Sequence, residues 1–190
     1  MSGDVTIGQG VGRRWLSLIA LVVIIGLSLA VLLCVLSTAR DHDAKLKGTN
    51  ASAGIVGLEL ALSAERAAAL LDEWRQRTEN GTPVFAHAER SLQLDRRLIP
   101  GYAVFGAALL LLLLTVLRVP IDRFWLCLVA LPLAAGLADL LENLFLGRIL
   151  VATSPQTSLV IGAGLFALTK FCLLGLSVIA GIALLWFSLF

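Results

Sequence analysis

Residues 124–146 read FWLCLVALPLAAGLADLLENLFL. The run is apolar over a length that crosses a bilayer, since roughly 18 to 20 such residues in a helix cover a ~30 Å hydrocarbon core. Three positions do not belong in hydrocarbon: Asp139, Glu142 and Asn143, whose i, i+3, i+4 spacing puts them on one helix face. Ionisable groups in a span are costly, so each needs a partner and each is a candidate functional group. Outward from this stretch lie three more apolar runs, Trp15 to Leu36, Gly101 to Leu117 and Ser158 to Phe190. The last is about 33 residues long and must tilt or protrude. A helix satisfies its own backbone in lipid, so the expected fold is all-α, a four-transmembrane-helix bundle.

The expected organisation is a polar arm over 1–14, spans over 15–36, 99–118, 124–147 and 158–190, and an extramembrane loop over 37–98 with two helices. Composition agrees. Of 190 residues 58% are hydrophobic and 15% charged, far from a soluble domain of this size. Fifteen Lys and Arg against thirteen Asp and Glu give a net charge of +2, with no run of like charge. That excludes a polybasic nucleic-acid binder. Cys34, Cys127 and Cys172 all sit in apolar runs and imply no disulfide framework.

Arg13-Arg14 ahead of the first span and Ser37-Thr38-Ala39 behind it have the flanks of a signal peptide. The apolar run of about 22 residues is too long for an h-region of roughly 7–15, so it reads as an uncleaved anchor. The arm and the Arg118 to Arg123 turn carry four basic residues, and the long loop carries nine basic and nine acidic ones. With so long a loop obeying the positive-inside rule poorly, both termini are placed on the cytoplasmic side. Twelve Arg against three Lys point to a GC-rich, bacterial genome and hence to a bacterial cytoplasmic membrane. Trp15, Trp125 and Trp186 read as interface anchors.

In the loop, Ser63 is a natural N-cap for a helical run to Arg77, with Glu65 suiting the first turn. Ala67, Leu70, Leu71 and Trp74 share one face, and Trp74 is expected to pack this helix onto the bundle. Glu79-Asn80-Gly81-Thr82 breaks it. Thr82-Pro83 opens the next helix with proline at its first position, and that helix runs on through Asp95 to Pro100-Gly101, which would kink it. Asn50-Ala51-Ser52 and Asn80-Gly81-Thr82 are sequons that matter only in a eukaryotic secretory setting.

The ionisable residues within spans are Asp139, Glu142 and Lys170. Counting 1.5 Å per residue from Trp125, Trp186 and Arg118 places Asp139, Glu142, Lys170 and Tyr102 all about 21 to 25 Å above one interface. Asp95, seven residues before Tyr102, falls on the same face above them, beside Arg96 and Arg97. Ala130, Ala134 and Ala138 form a small-residue stripe that invites close approach of another helix, and Pro132 would loosen the third span.

Three readings of this Tyr102, Asp139, Glu142, Asn143, Lys170 and Asp95 cluster stay open. It fixes helix register as a paired charge. It forms a ligand, lipid-headgroup or catalytic pocket, with Asp139 and Glu142 as acid and base, Lys170 holding an anion and Tyr102 assisting. Or it carries protons. The oxygen ligands would suit Mg²⁺ or Ca²⁺, but Lys170 already supplies the positive charge, so no metal and no cofactor is expected. His42 and His87 have no Cys, Asp or Glu at ligand spacing and read as surface residues. No Gly-x-Ser-x-Gly, His-Glu-x-x-His, Walker or dinucleotide motif is present.

Leu58-Glu59-Leu60-Ala61, Trp74, Asp95, Tyr102 and Ala138-Asp139-Leu140-Leu141-Glu142-Asn143, taken in order, resemble an uncharacterised group of small bacterial four-helix integral membrane proteins. These carry an Asp-x-x-Glu-Asn stretch in the third span. The likeness covers roughly Leu58 to Leu150 and implies a fold and no activity. Tetraspanins and claudins share the four-span plan, but their loop cysteines are missing. The expected role is a structural or accessory subunit, or a protein binding membrane partners. The alternatives are an enzyme or binder acting on a lipid headgroup and a proton-coupled transport component. Expected partners are membrane lipids, with other membrane proteins or self-association, and no nucleic acid.

Overall fold

The computed structural model describes residues 5–48 and 53–189, with side chains over 18–48 and 53–186. Arg13, Arg14, Trp15 and the Asn50 sequon lie outside the described side chains. Six helices and one small hairpin follow in order among the described residues: α1 (Val5–Leu46), α2 (Ile55–Glu59), α3 (Ala64–Gln76), β1 (Thr78–Glu79), β2 (Thr82–Pro83), α4 (Val84–Val116), α5 (Arg123–Val151) and α6 (Thr157–Leu189). The protein is all-α, with four helices long and apolar enough to cross a membrane: α1 from Leu18, α4, α5, and α6 to Trp186. Their outward faces keep large apolar residues uncovered, Leu27, Leu137 and Ile182 among them, as lipid-facing surfaces do.

The four long helices form a row rather than a closed square. α1 packs chiefly on α4, α4 on α5, and α5 on α6, while α4 and α6 touch only sparsely. Of the expected alanine stripe only Ala138 is buried, while Ala130 and Ala134 are exposed. The buried face of α5 runs through Val129, Pro132, Ala135, Gly136, Ala138 and Asp139. Pro132 packs on Gly106, and Gly136 on Ala103, so the small residues that permit close approach are glycines offset from the alanines. Pro132 is therefore a packing residue inside a continuous helix.

Between α1 and α4 a cap of α2, α3 and the hairpin closes one end. Ser63 Oγ accepts from Arg66 N at 3.2 Å, the N-cap that the sequence anticipates. Ala67, Leu70, Leu71 and Trp74 are buried, joined by Leu46 from α1 and Leu146 and Ile149 from α5 in one core. α3 also satisfies the carbonyls left open where long helices end. Trp74 Nε1 donates to Leu46 O at 2.9 Å and Arg77 to Lys47 O at 3.0 Å, while Arg75 donates to Ala152 O at 2.8 Å beyond α5.

Asn80 and Gly81 both have positive φ, which suits the two-residue turn of a right-twisted hairpin. Thr78 pairs with Pro83, and Glu79 with Thr82. The break after α3 is thus a hairpin, and Pro83 is the N-cap of α4 rather than its first helical residue. α4 continues through Pro100 without a break.

Candidate functional site: a lysine hub beside an interfacial cavity

Lys170 leaves α6 pointing into the bundle, 6% exposed, and there it meets three carboxylates. Its Nζ donates to Asp139 Oδ1 at 2.9 Å and to Glu59 Oε2 at 3.4 Å. Glu142 Oε2 lies 2.8 Å away in ion-pair contact, off the line of a hydrogen bond. Tyr102 of α4 donates to the second oxygen of Asp139 at 2.6 Å. One layer towards the cap, Asn143 Nδ2 donates to Asp95 Oδ2 at 2.6 Å, and Arg96 reaches the Asn143 carbonyl at 3.4 Å.

The structure therefore brings together Tyr102, Asp139, Glu142, Asn143, Lys170 and Asp95, from three helices whose residues stand at matched heights. Arg97 stays exposed outside the cluster. Among the described residues no group of His, Cys, Asp and Glu has the arrangement of a metal centre.

Glu59 is the member that the span periodicity does not reveal. It ends α2, a five-residue helix in the cap, yet it is buried and bonded to a lysine 111 positions later. Two local devices bring it there. Gly54 turns with φ +60, and a Cβ at that position would strike the Asp43 carboxylate. That same carboxylate accepts from Ile55 N at 2.9 Å and so tethers the start of α2 to α1. At the other end Gly164 of α6 leaves room for Leu62 and for the Glu59 carbonyl. A side chain there would displace the Leu62 side chain and lie in contact with the Glu59 carbonyl. Burial pushes the Glu59 carboxyl above the usual carboxylate range, against the opposing pull of Lys170.

Lys170 already faces three carboxylates, so it has no free charge with which to hold an external anion. Asp139 and Glu142 do not reach open space. Instead a cavity of about 550 Å³ lies beside the hub, between α1, α2, α4 and α6. It exists because the helical row leaves α1 and α6 apart. Glu59, Asp95 and Lys170 bound it on one side, and Arg40 and Asp43 of α1 with Lys47 just beyond its end on the other. Apolar walls come from Leu36, Leu98 and Phe171. Ser91, 5% exposed, also lines it, and its hydroxyl makes no hydrogen bond among the described residues.

His42 and His87 correct the expectation of two separate surface residues. His87 is buried at 9% exposure, and its Nδ1 lies 2.9 Å from His42 Nδ1 across the α1–α4 seam. The rings sit 5.2 Å apart, tilted by 40°. At that distance one ring donates and the other accepts. Their 45-residue separation hides the pairing from any local pattern.

No family model, no curated protein and no solved structure matches this chain.

Proposed function

We propose that the protein is a membrane-embedded binder whose cavity receives the headgroup of an amphiphilic ligand at the edge of one leaflet. The observation that carries this reading is the coexistence of a closed, ion-paired hub and an adjoining cavity with charged ends and apolar walls. A purely structural cluster would need the hub alone. A ligand site needs concave space with a few fixed polar groups, and the cavity supplies Ser91, Glu59 and Asp95 for that purpose. In this reading Asp139, Glu142, Tyr102 and Asn143 are positioning residues that hold Lys170, Glu59 and Asp95 in place. They are not acid and base acting on a substrate, since neither Asp139 nor Glu142 lines the cavity.

The test is lipid extraction and mass spectrometry on the detergent-purified full chain and on its Ala39→Trp variant, which fills the cavity from α1. Binding predicts a lipid class retained by the parent and lost from a folded variant. Equal lipid content in both would sink the proposal.

A second reading has its own support. The hub ties α5, α6 and the cap into one unit, which is what a structural or accessory subunit in the membrane requires.

A further inference from the structure

The two sides of the cavity differ in sign once internal pairing is removed. On α1, residues 36, 39, 40, 43 and 44 follow i, i+3, i+4, i+7, i+8 and make one wall, which Lys47 extends just past the helix end. Its acidic member, Asp43, accepts the Ile55 N–H with one oxygen and keeps its charge. Arg40 and Lys47 outnumber it, and neither forms a side-chain ion pair among the described residues, so this wall is basic on balance.

Opposite, Lys170 is the cationic member and is shared by three carboxylates. Asp95 has only an amide as partner, on one of its two oxygens. Glu59 has only a long contact to Lys170, also on one oxygen. The free oxygens of both residues escape complete burial, unlike the Glu142 oxygens. This wall is acidic. Ser91, buried and without a partner for its hydroxyl, stands on α4 one turn before Asp95.

A purely anionic headgroup would meet Glu59 and Asp95, and a purely cationic one would meet Arg40 and Lys47. Each would leave one wall uncompensated in a partly desolvated site, where like charges are costly. We propose that the cavity selects a zwitterionic phosphoamine headgroup, its phosphate against Arg40 and Lys47 and its ammonium against Glu59 and Asp95, with Ser91 bonding between them. This rests on the headgroup-binding reading above and names the ligand class for the same site. The apolar walls at Leu36, Leu98 and Phe171 take the start of an acyl chain, so the ligand is a lipid rather than a free zwitterion.

The decisive experiment is calorimetric titration of the delipidated full chain with three probes. These are dihexanoyl phosphoethanolamine, dihexanoyl phosphoglycerol, and phosphoethanolamine without chains. The expected result is a preference of about tenfold for the first over the second, the scale of one well-placed charged contact. Asp95→Asn is expected to erase that preference, while Arg40→Gln, which faces the phosphate that both lipids carry, is expected to weaken both alike and leave the preference standing. Asparagine at 95 still accepts from Asn143, and where it fails to fold, Glu59→Gln carries the comparison.

Equal affinity for the two lipids overturns the zwitterion inference and leaves the headgroup reading standing. Equal affinity for the chainless probe keeps the zwitterion and overturns the lipid. No binding of any probe defeats both.

Discussion

At Lys170 one ammonium answers three carboxylates, and that ratio sets what each substitution does. Lys170→Met leaves Asp139, Glu142 and Glu59 facing one another without a cation, so it should cost roughly 3–5 kcal/mol, the scale for stranding buried charge. Glu142→Gln removes one carboxylate of three and should cost much less. In the pair, part of the loss should be recovered. Thermal unfolding in detergent of both singles and the double checks this, and a Glu142→Gln loss equal to that of Lys170→Met would contradict the shared-hub account.

Glu59 makes a pH prediction of definite sign. Burial raises its carboxyl above the ordinary range, so ionising it is harder in the folded protein than in the unfolded chain. Its contribution to stability is then present at low pH and is lost as pH rises from the usual carboxylate range through the raised one. The groups around it are Lys170 of α6, Asp139 and Glu142 of α5 and Asp95 of α4, with Arg40 and Asp43 of α1, and Lys47 just past its end, across the cavity. An ammonium ligand favours the ionised form, so phosphoethanolamine binding should tighten over that same rise in pH. Titrations across pH for the parent and Glu59→Gln test it: the dependence should be weaker in the variant, which keeps only Asp95 as a carboxyl against the ammonium.

At the scale of elements, α3 is the piece whose sequence states its own structure. Ser63 caps it, four residues at helical spacing form its buried face, and Trp74 reaches the end of α1. Trp74→Phe keeps most of the packing but strands the buried Leu46 O, which should cost about 1–3 kcal/mol. Trp74→Ala also opens a cavity, at about 3–5 kcal/mol. Chemical unfolding followed by helical circular dichroism separates the two, and equal losses would mean that the indole N–H, not the ring, holds the cap.

The seam between α1 and α4 carries the histidine pair, in which His87 is buried and His42 half-buried. His42→Leu strands the His87 nitrogen and should destabilise by about 1–3 kcal/mol, whereas the double replacement with His87→Leu removes both partners and should be milder, as thermal unfolding of the two variants checks.

How far these elements can be read ahead depends on whether the signal is local. The spans are legible because lipid imposes length and apolarity residue by residue. The common height of Tyr102, Asp139, Glu142 and Lys170 is legible because helical rise is constant. Glu59 is not, since a five-residue helix has no period to detect and its burial depends on Gly54 turning against Asp43 and on Gly164 leaving room in α6. The face of α5 misleads for a related reason. Alanines at every fourth position look like a seam, yet the backbones approach through Gly106 and Gly136, which belong to two different helices.

For the molecule as a whole, the open row of helices is the feature that packing alone does not explain. Four spans can close into a square in which α1 also meets α6, and that would bury more surface than a row does. Here α1 is held at the cap end by the Leu46, Lys47 and Asp43 contacts and along its length by α4, while the space towards α6 stays free. If that space serves binding, filling it should exchange function for stability. Ala39 is half-buried on the cavity wall, between Leu36 and Arg40 in the same lining. Ala39→Leu adds apolar contact there without touching the hub, so it should stabilise by about 0.5–2 kcal/mol, the usual gain from filling a cavity. The same variant should lose most of its affinity for dihexanoyl phosphoethanolamine. Measured together by thermal unfolding and titration, a rise in one with a fall in the other means that the gap is kept open at a cost in stability for the sake of a ligand. A variant that is less stable while still binding would mean instead that α1 already fits its neighbours as closely as the fold requires.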